Sequence, residues 1–108
     1  MEKMNVNEII HQALDAAKRS LGNKLPQTLD YVEKTIKQLG IEMADVEAER
    51  VTGQMDDDTV RLIMDTEMNA VRTVEITGEC IVKVAAEQAI NAALDVVKKE
   101  IGKVLGAP

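Results

Sequence analysis

Between Ala85 and Leu105 apolar residues recur at helical spacing without a break. Ala85, Ala86, Ala89, Ala93, Val96, Val97, Ile101 and Val104 line one broad face, while Lys83, Glu87, Asn91, Asp95, Lys98 and Lys99 fall elsewhere. Intervals of three and four define one side of an α-helix. Alanine joins high helix propensity to small volume, so this face is suited to close approach by another backbone. Lys98, Lys99 and Lys103 complement the negative end of the helix dipole, and Gly106 and Pro108 finish the chain. Were the helix to reach back to Asp56, it would occupy almost half of the 108 residues, more than a small monomer can cover. Assembly is therefore part of the expectation from the outset.

The first forty residues read as a helical hairpin. Asn5 followed by Glu8 fits a capping box, with Asn7 as the competing cap. Val6, Ile9, Ile10, Ala13, Leu14, Ala17 and Leu21 then repeat at helical spacing until Gly22-Asn23. Pro26 suits a first helical position, and Leu25, Leu29, Val32, Ile36 and Leu39 follow at intervals of four and three. Gly40 is expected to end this helix. Ile41 to Val51 reads as a separate short connector with thin apolar faces, either Met43, Val46 and Arg50 or Ala44, Ala48 and Val51. Thr52-Gly53-Gln54 breaks it, and one of Asp56, Asp57 and Asp58 caps what comes next.

From Val60 the pattern supports two readings. Val60, Ile63, Met64, Val71 and Val74 share one side of a helix, with Glu67 among them at a core-like position and Gly78 on the same stripe. The β-branched residues from Val71 to Val84 favour strands instead. A hairpin turning near Thr77-Gly78, with strands at 71–76 and 80–84 and a third strand through Val60, Leu62 and Met64, is the competing expectation. The favoured fold is all-α: one helical domain over 1–108, with an N-terminal hairpin and a long C-terminal helix, completed by oligomerisation. The alternative is α+β, with a short antiparallel sheet over about 60–84.

Composition narrows the function. Apolar residues make up 45% of the chain, yet Tyr31 is the only aromatic. The core must therefore use many small aliphatic contacts, and the aromatic platforms that stack bases or sugars are missing. Tyr31 lies off the apolar stripe and reads as a rim residue. The net charge of −6 is uneven: residues 41–80 carry eleven acids against Arg50, Arg61 and Arg72. Nucleic acid and anionic membrane are disfavoured as partners, because both need basic patches. A basic protein surface is compatible. No apolar run approaches the length of a membrane span, and MEKMNVNEII does not read as a secretory leader, so a cytoplasmic location is expected.

Chemistry-bearing constellations are sparse. Carboxylate-bridged di-metal bundles use glutamates from two helices and a Glu-x-x-His step from each of two others. Glu8 and His11 form one such step, and Glu67 and Glu75 are the carboxylates that copies in an assembly could add. That set is the weak metal candidate; a surface histidine near Asp15 is the simpler reading. Glu67 reads more readily as a salt-bridge partner or register device. The Asp56–Asp58 run lacks the alternating ligands of a calcium loop. Cys80 stands beside Glu79, which opposes thiolate formation, and no histidine follows it. Ser20 has no neighbouring base, and no glycine loop precedes Lys34-Thr35. No catalytic residue and no cofactor are assigned. The expected function is that of a small acidic interaction protein that self-associates without catalysis. A carboxylate-rich metal-binding bundle, acting in redox chemistry or metal storage, is the alternative.

Overall fold

A computed structural model describes residues 3–22, 25–73 and 82–106. They form four helices: α1 (Val6–Leu21), α2 (Pro26–Val51), α3 (Asp57–Val71) and α4 (Lys83–Leu105). The bundle is elongated, measuring 45 × 22 × 21 Å. No strand occurs among the described residues, so the all-α expectation holds. The sheet alternative fails where it can be examined: Val60, Leu62 and Met64 lie in α3, and Lys83 and Val84 open α4. Val71, expected to open a strand, is the last residue of α3; the proposed turn at Thr77-Gly78 and the strand residues 74–76, 80 and 81 lie outside the described residues.

Helix starts follow local chemistry. Asn5, rather than Asn7, caps α1 by accepting the Glu8 N–H at 3.1 Å. Asp56 caps α3 by accepting the Thr59 N–H at 2.8 Å, and Asp57 and Asp58 occupy the first turn, where the dipole favours acids. That hydrogen bond to the charged form holds the Asp56 carboxyl below its ordinary range. Neither α2 nor α4 has a side-chain cap of its own. Pro26 starts α2, where a missing N–H costs nothing. α4 instead draws on α2: the Val82 N–H donates to the buried Thr28 hydroxyl at 3.1 Å.

Gly40 does not end a helix. α2 continues through it for 26 residues, and the expected connector from Ile41 to Val51 is its second half. The reason lies in packing against α1. A Cβ at position 40 would stand 2.7 Å from Ile10 Cγ1, so the glycine lets the two helices come together there. Its propensity cost of about 1 kcal/mol is offset by that contact. The true end of α2 comes at Thr52-Gly53, where Gly53 has φ +78°, a left-handed conformation natural to glycine.

The core answers the covering problem within one chain. Val6, Ile9, Ala13, Ala17 and Leu21 of α1 are buried, as are Ala86, Ala89, Ile90, Ala93, Leu94, Val97, Ile101 and Leu105 of α4. These two helices share the most extensive interface in the bundle. α2 adds Val32, Ile36, Leu39 and Met43, and α3 adds Val60, Met64 and Met68. The alanine face of α4, read above as an assembly surface, is therefore an internal seam. Tyr31 packs half-buried at the rim of the core, as expected.

Candidate functional site

Within one chain the described metal candidates, Glu8, His11 and Glu67, do not converge. His11 Nε2 lies 3.9 Å from Asp15 on the exposed face of α1, and Glu8 accepts a hydrogen bond from Gln12. Glu67 sits on α3 against Glu42 of α2. Glu75, and with it Cys80, lies outside the described residues. Among the described residues, no three of His, Cys, Asp and Glu are grouped where they could hold a metal ion. No helix among them is long and apolar enough to cross a membrane.

Glu67 is not in the core. Met68 takes the buried position, and Glu67 stands half-buried at the α2–α3 margin. Its neighbour within the chain is another acid, Glu42. A hydrogen bond with Glu42, helped by partial burial and the Glu42 charge, lifts the Glu67 carboxyl above its ordinary value.

The buried charges lie elsewhere, at the end of α2. Glu47 and Arg50 are 3% and 2% exposed. Arg50 Nη2 donates to Glu47 Oε2 at 3.1 Å and Nε donates to Glu47 Oε1. Nη1 reaches Asp57 at the start of α3, 3.3 Å away. Glu47 also accepts the Met4 backbone N–H. The group thus ties the segment before α1 to α2 and α3. The Glu47 hydrogen bond raises the Arg50 pKa further above its already high value, against the opposing effect of burial. The sequence held a signal for this: the stripe Val32, Ile36, Leu39, Met43 continues directly to Glu47 and Arg50. Once α2 is a single helix, both charges fall on its inner side.

Another side of the same helix carries an apolar ridge that no described residue covers. Ile41, Ala44, Ala48 and Val51 recur at intervals of three, four and three, and all are exposed, Ile41 by 58% and Val51 by 36%. Ala44, Ala48 and Val51 are one of the two faces read from the sequence for the connector, and Ile41 extends it. A groove of about 650 Å³ runs between it and the residues that open α1, with Met4, Val6, Ala44 and Ala48 in its apolar lining and Lys3, Asn5, Asn7 and Thr52 as polar groups. A smaller depression of about 250 Å³ extends it past Ile10 and Gly40 to Lys37 and Ile41. Leu62, Val82 and Val84 are also exposed, but they lie on α3 and at the start of α4.

This arrangement offers shape and apolar area. It brings no nucleophile, base and oxyanion donors together, and the Glu47 carboxylate at the groove is neutralised by Arg50. Comparison with family models, curated proteins and solved structures returned no match.

Proposed function

We propose that the protein is a non-catalytic interaction protein that self-associates, and that the outer ridge of α2 with its adjoining groove is the contact face. The observation carrying this reading is the ridge itself. Four apolar residues at helical spacing stay exposed beside a preformed groove, on a helix whose other side is fully engaged in the core. Contiguous exposed apolar surface of this kind marks interaction sites. A helix-in-groove contact uses anchors at this spacing. Self-association draws no support from the alanine face of α4, which the chain covers itself.

The test is sedimentation of the wild-type chain and of Ala48→Glu across the micromolar range. The wild type forms dimers that dissociate on dilution, and the variant stays monomeric with an unchanged helical circular-dichroism spectrum. A wild type that is monomeric throughout contradicts the proposal.

A further inference from the structure

We draw no further inference here: the strongest candidate, the apolar ridge and adjoining groove along α2, belongs to the contact face already proposed, and nothing in the structure shows what covers it.

Discussion

Arg50 and Glu47 are the residues on which the end of α2 depends most. A buried ion pair adds little net stability, because desolvation offsets the attraction, but removing one partner leaves an uncompensated charge. Arg50→Met is accordingly expected to lose about 3–5 kcal/mol of unfolding free energy in denaturant titration. The double substitution Glu47→Met, Arg50→Met restores most of that loss, since both charges leave together. A double variant no more stable than the single one would show that the pair's geometry matters beyond its charge. Glu67 behaves in the opposite sense. Its folded-state pKa is raised, first by the hydrogen bond with Glu42, then by burial and by the Glu42 charge. The native state therefore holds a proton more firmly than the unfolded chain. The unfavourable contribution of the pair is fully present at neutral pH and disappears as pH falls through the folded-state pKa. Glu67→Gln should melt above the wild type at pH 7, and the two should converge towards pH 4. A constant difference across that range would contradict the raised Glu67 pKa.

At the scale of elements, the close approach of α1 and α2 at Gly40 is the contact most sensitive to volume. Gly40→Ala gains about 1 kcal/mol in helix propensity, but the new methyl meets Ile10 Cγ1 at 2.7 Å. Overpacking costs about 1–3 kcal/mol, so a net loss is expected. Ile10→Ala in the same chain should turn Gly40→Ala from destabilising to stabilising, as read from melting temperatures. The same glycine shows why helix ends were harder to read than helix faces. Its type matches a terminator, and only the neighbouring helix reveals that it is a packing position. Asn5 and Asp56 were legible because their capping bonds are made within three residues. Val32, Ile36 and Leu39 were legible from spacing alone. The Thr28–Val82 and Glu47–Met4 hydrogen bonds join residues 54 and 43 apart in sequence, and no local pattern encodes them. Glu67 was misplaced because Met68, one residue on, offers nearly the same stripe a better apolar side chain.

At the scale of the whole molecule, the chain satisfies its main apolar demand alone. Small side chains on α1 and α4 form the seam that sequence periodicity had suggested for an assembly, leaving α2 as the two-sided element. Its inner side turns from aliphatic to ionic towards its end, and a short apolar ridge stays exposed among the charged residues of its outer surface. The candidate site was visible in the sequence as one of two faces for residues 41–51, but which face pointed outward depended on Gly40 not ending the helix. The account stands or falls on whether that outer face brings copies together. Sedimentation equilibrium of the wild type beside Ala48→Glu measures this directly. A concentration-dependent dimer that the substitution abolishes, with helicity retained, is the predicted result; a wild type and variant that sediment identically would contradict it.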